Sequence, residues 1–152
     1  MTNEKVTECL NDLLTKAYDA EEGFKKAAER AEEHPGLVGF FQKQSAMRRS
    51  FGHDLKQAIV KYGGEPDKGS SIAAKAHQVW ISVKDTLTSD HDAEAVLEEC
   101  VRGEKAALED YDEKIKCDDL PVDVRALITS QRNSIAESLA TAKVQEQVAD
   151  AK

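Results

Sequence analysis

The sequence predicts an all-α protein, an antiparallel four-helix bundle with one long crossover connection that contains an extra helix. Three observations favour this fold class. Apolar residues recur at alternating spacings of four and three along four long stretches. Three prolines and eight glycines provide few of the turns that a β-sheet needs between its strands. Aromatic residues make up 5% of the chain, as suits helices packed through Ala, Leu and Val. The length of 152 residues fits a single domain, expected over residues 1–152.

The first two predicted helices form a hairpin. The first covers about residues 3–33, and either Thr2 or Asn3 can cap its N-terminus. Because proline is tolerated in the first turn of a helix, Pro35 marks the start of a second helix over about 35–62. The short break between them forces the two helices to lie side by side.

The stretch 65–90 differs, because it breaks the bundle pattern before an amphipathic segment that predicts a connecting helix over about 71–87. The remaining bundle helices are expected over about 90–117 and 121–146. Hairpin, long connection and hairpin are the connectivity of ferritin-like bundles, in which the second and third helices run parallel. A plain up-down-up-down bundle with an insertion at one end is the alternative.

Composition and charge exclude several classes of partner. The net charge of -8, from 29 acidic and 21 basic residues, predicts a surface that repels phosphate backbones and anionic lipids, so neither nucleic acid nor membrane is expected as a partner. The sequence has no apolar run of about eighteen residues and no signal-like N-terminus, which predicts a cytoplasmic, bacterial protein. The odd set of Cys9, Cys100 and Cys117 indicates reduced thiols.

Polar residues interrupt the apolar stripe of each bundle helix. They are Glu21, Gln44, Arg48, Glu104 and Gln131. Counting about 1.5 Å per residue from each turn places them at one height in a ferritin-like bundle. We therefore expect a buried polar layer in which Arg48 lies between Glu21 and Glu104 and neutralises both. In this interpretation an arginine takes the place of a cation and fixes the register of the helices.

A di-iron carboxylate site of the ferritin kind needs a Glu from each of two helices and a Glu-x-x-His pair from each of the other two. No Glu-x-x-His occurs in this sequence. The residues therefore predict no cofactor and no catalytic residue. The alternative is an iron or manganese site built from Glu21, Asp54 and Glu104, which would make the protein a di-metal oxidoreductase that oxidises iron or reacts with peroxide.

His77 and Trp80 lie three residues apart on the predicted connecting helix and are neighbours on its surface. Trp80 is expected to anchor that helix on the bundle, and a groove for a protein partner is the alternative interpretation of the same contact.

Several short motifs together carry a family resemblance over about residues 10–144. They are Glu21-Glu22-Gly23-Phe24, Gly63-Gly64, Gly69-Ser70, His77 with Trp80, Glu99-Cys100-Val101-Arg102-Gly103-Glu104 with Tyr111, and Leu120-Pro121-Val122-Asp123-Val124-Arg125 with Gln131. With these the chain resembles a bacterial family of ferritin-like four-helix-bundle proteins of unknown function, distant kin of ferritins and rubrerythrins. The resemblance implies the bundle and the crossover, and it implies no assigned reaction.

The same resemblance implies a depleted set of metal ligands. The family often has Glu where this chain has Asp54, and often a histidine late in the last helix, near Ser138 of this chain. The expected function is therefore non-catalytic and acts through assembly, as a homo-oligomer such as a dimer, or through binding of a protein partner. A ferritin-like metalloprotein is the alternative.

Overall fold

The computed structural model describes residues 2–68 and 91–150 of the chain. Within them the chain forms four helices: α1 (Asn3–Arg30), α2 (Pro35–Lys61), α3 (His91–Ile115) and α4 (Val122–Asp150). The connecting helix expected over 71–87, with His77 and Trp80, lies outside the described residues.

Side chains and backbone turns set the ends of α1. The Thr2 hydroxyl caps its N-terminus by accepting a hydrogen bond from the Lys5 N–H at 3.2 Å. The helix ends at Arg30, before the expected residue 33, because the chain tightens into a turn in which the His34 N–H donates to the Ala31 carbonyl at 2.7 Å.

Helix α2 ends close to the predicted residue, whereas α4 runs further than predicted. Gly63, the second residue after the end of α2, has a φ of +81°, the left-handed conformation that commonly ends a helix. The last helix, in contrast, continues to Asp150. The end expected at residue 146 therefore falls inside the helix.

Two ion pairs between α1 and α3 fix the relative direction of these helices. Lys16 Nζ lies 2.9 Å from Asp110 Oδ2, and Lys114 Nζ lies 2.8 Å from Asp12 Oδ2. Because residue numbers rise on α1 as they fall on α3, the two helices are antiparallel. Helix α1 is also antiparallel to α2 through the short turn, so α2 and α3 are parallel, as ferritin-like connectivity requires.

The bundle core consists of two hydrophobic clusters, one toward each end. The first contains Val6, Leu10, Leu13, Leu14, Phe51, Leu55, Ile59 and Ile128 among others, and the second contains Phe24, Phe41, Val96, Leu97, Cys100 and Leu139 among others. Arg48 and Glu104, which are buried and polar, fall between the two clusters along α2 and α3. The polar layer therefore divides the core.

Candidate functional site

The centre of the bundle holds an ion pair between Arg48 of α2 and Glu104 of α3. Their side chains are 2% and 0% exposed, and Arg48 Nη2 donates a hydrogen bond to Glu104 Oε1. The Arg48 guanidinium carbon also lies 5.4 Å from the ring centre of Phe24 and 5.7 Å from that of Phe51. Aromatic faces attract cations, so the guanidinium is held by one carboxylate and two rings.

Gln131 of α4 belongs to the same region of the interior and is 3% exposed. Its side-chain oxygen accepts a hydrogen bond from the Tyr111 hydroxyl at 2.6 Å, and its amide nitrogen donates to the Phe51 carbonyl at 3.3 Å. Burial raises the pKa of Tyr111, so the phenol remains protonated and able to donate. Tyr111 is therefore the partner of Gln131, a pairing that the sequence did not suggest.

Four buried polar atoms of this layer find no hydrogen-bond partner within the part of the chain that the structure describes. They are Gln44 Oε1, Arg48 Nε, Glu104 Oε2 and Ser138 Oγ. The pairing of Tyr111 with Gln131 in antiparallel helices puts Ser138 level with Glu104, since each lies seven residues from its member of that pair. Together these atoms offer donors and acceptors to a small hydrogen-bonding molecule such as water.

Glu21 does not join Arg48, and the prediction that Arg48 neutralises both Glu21 and Glu104 is wrong on this point. Its side chain is 16% exposed, and its Oε2 lies 3.0 Å from Arg49 Nε and 3.5 Å from Lys25 Nζ. The neighbouring residue Ala20 takes the inward position, and consecutive helical residues point about 100° apart. Glu21 therefore pairs with surface cations at the edge of the stripe.

Asp54 is exposed, because Phe51 and Leu55 take the inward positions around it on α2. The candidate metal ligands Glu21, Asp54 and Glu104 are thus not brought together, and the one buried carboxylate among them is already paired with a guanidinium. Across residues 2–68 and 91–150, no group of three or more His, Cys, Asp or Glu side chains is placed to hold a metal ion. These donors do not fit a di-metal centre.

Asp19 of α1 is a buried carboxyl that sequence reasoning missed. It is 9% exposed, and its Oδ1 has no hydrogen-bond partner among the described residues. Burial raises the pKa of Asp19 to about 7. Tyr18 and Ala20 flank it in the sequence and give no signal of its burial, which depends on how the helices pack.

An open groove of about 490 Å³ runs along α1 and α2. It is lined by Lys25, Ala28, Glu29, Val38, Gln42, Ser45, Ala46 and Arg49. The groove therefore combines small apolar side chains with charges of both signs.

None of the helices in the described part of the chain carries an apolar stretch that could span a lipid bilayer.

Comparison with known proteins agrees with this architecture. The solved structure of a Dps1 mutant from Mycobacterium smegmatis is 16% identical to the chain, with a TM-score of 0.79 over 95% of this chain and 96% of that chain. At this identity the likeness shows the fold alone, which is ferritin-like. Among curated proteins none matches the chain. A family profile, described as a domain of unknown function, matches residues 5–117, and the chain therefore belongs to the DUF2383 family.

Proposed function

We propose that this protein is a non-catalytic ferritin-like bundle that acts through assembly, with the pair of Arg48 and Glu104 in place of a metal centre. The observation that carries the proposal is the guanidinium packed against Phe24, Phe51 and Glu104 in the interior. A fixed cation there balances the charge of the buried carboxylate without a bound ion. No catalytic residue and no cofactor are assigned, and the protein acts in the cytoplasm.

The groove on α1 and α2 is the surface that we assign to assembly, with a second copy of the chain as its occupant. Its apolar residues are small, and its charged residues are of both signs: Lys25 and Arg49 are basic and Glu29 is acidic. A two-fold dimer brings the same patch of both subunits together, and a patch with both charges can complement itself. The proposed homodimer therefore uses this face.

Size-exclusion chromatography with light scattering tests this assignment. We expect the wild-type chain to run at twice its monomer mass of 16.7 kDa, and Ala46→Glu, which puts a charge on an exposed position of the groove, to run as a monomer. Ala126→Glu, at an exposed position of α4, is the matched control and should leave the dimer intact. A wild-type monomer, or dissociation by Ala126→Glu alone, would contradict the assignment.

The second candidate is a ferritin-like metalloprotein that binds iron or manganese. The observation that favours it is Glu104 Oε2, a buried carboxylate oxygen without a partner among the described residues. Elemental analysis of protein purified without chelators, followed by an Fe(II) oxidation assay, distinguishes the two. Stoichiometric iron or manganese would replace our proposal with this one.

A further inference from the structure

Cys9 and Cys117 lie on opposite sides of the seam between α1 and the end of α3. The ion pair of Asp12 with Lys114, at 2.8 Å, joins the two sides of this seam. Cys9 precedes Asp12 by three residues, and Cys117 follows Lys114 by three residues. In antiparallel helices one turn back on one helix is level with one turn forward on the other, so Cys9 is level with Cys117, which lies in the turn just after α3.

The backbone around Cys117 is held in place, although α3 ends at Ile115. The Cys117 N–H donates to the Lys114 carbonyl at 3.2 Å, which continues the turn of the helix. Arg125 of α4 donates to the carbonyls of Ile115 and Cys117, each at 2.5 Å. The thiol therefore projects from a fixed turn.

Burial and charge give a second indication that the two thiols are near each other. Both side chains are half-buried and pack against the same hydrophobic cluster, the one that contains Val6 and Leu10. Burial raises the pKa of Cys9, with Lys114 opposing the rise and with the charges of Asp12 and Cys117 adding to it. Cys9 thus lies close enough to Cys117 to respond to its charge.

We propose that Cys9 and Cys117 form a reversible intramolecular disulfide by exchange with a small disulfide such as oxidised glutathione. The third cysteine, Cys100, is 0% exposed in the other cluster and takes no part. The bond would tie the first helix to the turn between α3 and α4. Because the bond closes a long loop, it removes conformations from the unfolded chain and should therefore raise the free energy of unfolding.

The exchange takes two steps. The Cys117 thiolate attacks one sulfur of oxidised glutathione, whose S–S bond breaks and releases one glutathione thiolate. Cys9 then loses its proton and attacks Cys117 Sγ, displacing the second glutathione. The two protein thiols lose two electrons and two protons, and one molecule of oxidised glutathione becomes two molecules of glutathione thiol. Cys117 attacks first because burial raises the pKa of Cys9 and so lowers the share of its reactive thiolate.

The test equilibrates the full chain with oxidised glutathione at mildly alkaline pH, quenches it with an alkylating agent and maps its peptides by mass spectrometry. We expect the thiols counted under denaturing conditions to fall from three to one, with Cys9 linked to Cys117 and the chain unlinked to other copies. The bridged protein should melt at a higher temperature than the reduced protein. Linkage to Cys100, links only between chains, or three free thiols at equilibrium would overturn the proposal.

Three variants separate pairing from general reactivity. Cys100→Ala should still form the bridge, leaving no free thiol. Cys9→Ser should stop at a glutathione adduct on Cys117, because the second step lacks its nucleophile. Cys117→Ser removes the nucleophile of the first step, so an adduct should form only slowly, on Cys9, and no bridge should follow. A bridge that persists in either single variant would also overturn the assignment.

Discussion

The guanidinium of Arg48 and the carboxylate of Glu104 form an ion pair between α2 and α3 in the divided core, 2% and 0% exposed. Breaking such a pair from one side leaves a charge buried without compensation, whereas replacing both partners by apolar residues removes two desolvation costs together. We therefore propose that the pair fixes the register of two parallel helices more than it adds stability.

Arg48→Met should lower the free energy of unfolding by about 3–5 kcal/mol, because Glu104 is then buried alone. The double variant Arg48→Met with Glu104→Leu should recover most of this loss. Urea unfolding of both variants and of the wild type measures the difference. Arg49→Met, which removes an exposed partner of Glu21, serves as the control and should cost at most about 1 kcal/mol. A single variant as stable as this control would refute the pairing.

Asp19 predicts a dependence of stability on pH. Its pKa of about 7 in the folded protein lies above the ordinary value of 3.8, so between these pH values the folded state binds a proton that the unfolded state has lost. Stability linked to this group is present in full below pH 4 and is lost as pH rises through 7. The wild type should lose on the order of 2–4 kcal/mol relative to Asp19→Asn between pH 5 and pH 8. If the unfolding free energies of the two proteins changed with pH in parallel, Asp19 would titrate normally.

Tyr111→Phe should destabilise the protein by about 1–2 kcal/mol, because the buried oxygen of Gln131 loses the donor that lies 2.6 Å away. The loss should disappear when Gln131 is Leu, since no acceptor is then left without a partner. A double-mutant cycle from denaturant unfolding gives the coupling. Additive effects of the two substitutions would mean that the bond does not stabilise the fold.

Two glycine substitutions should change stability in opposite directions. A Cβ on Gly64 would lie 2.7 Å from Cβ and Cγ2 of Thr7, and Thr7 is fixed on α1, so Gly64→Ala should cost about 1–3 kcal/mol. Gly39 lies within α2 with nothing within 4 Å of an added Cβ. Gly39→Ala should therefore stabilise by about 0.5–1 kcal/mol. Thermal melts of both variants check the pair, and equal melting temperatures would contradict the close approach at Gly64.

Hydrophobic periodicity was enough to predict the four bundle helices and their ferritin-like arrangement, because long repeats and short hairpin breaks leave few other ways to bury the stripes. The same pattern found Arg48, Glu104, Gln44 and Gln131, each of which interrupts a run of inward positions. It misplaced Glu21, one residue beyond the inward Ala20.

Pairings across helices were harder to predict, since spacing along one helix does not fix the rotation and height of its neighbour. The bond between Tyr111 and Gln131, the burial of Asp19 and the level position of Ser138 all depend on this register. So does the approach of Cys9 to Cys117. A single sequence carries no direct signal for any of these contacts.

The most direct test is a crystal structure of protein soaked with Fe(II) or Mn(II), with anomalous scattering recorded at the metal edge. Our account predicts that Arg48 stays paired with Glu104 and that no anomalous peak appears beside that carboxylate. A peak next to Glu104, with the Arg48 side chain turned away from it, would contradict the account.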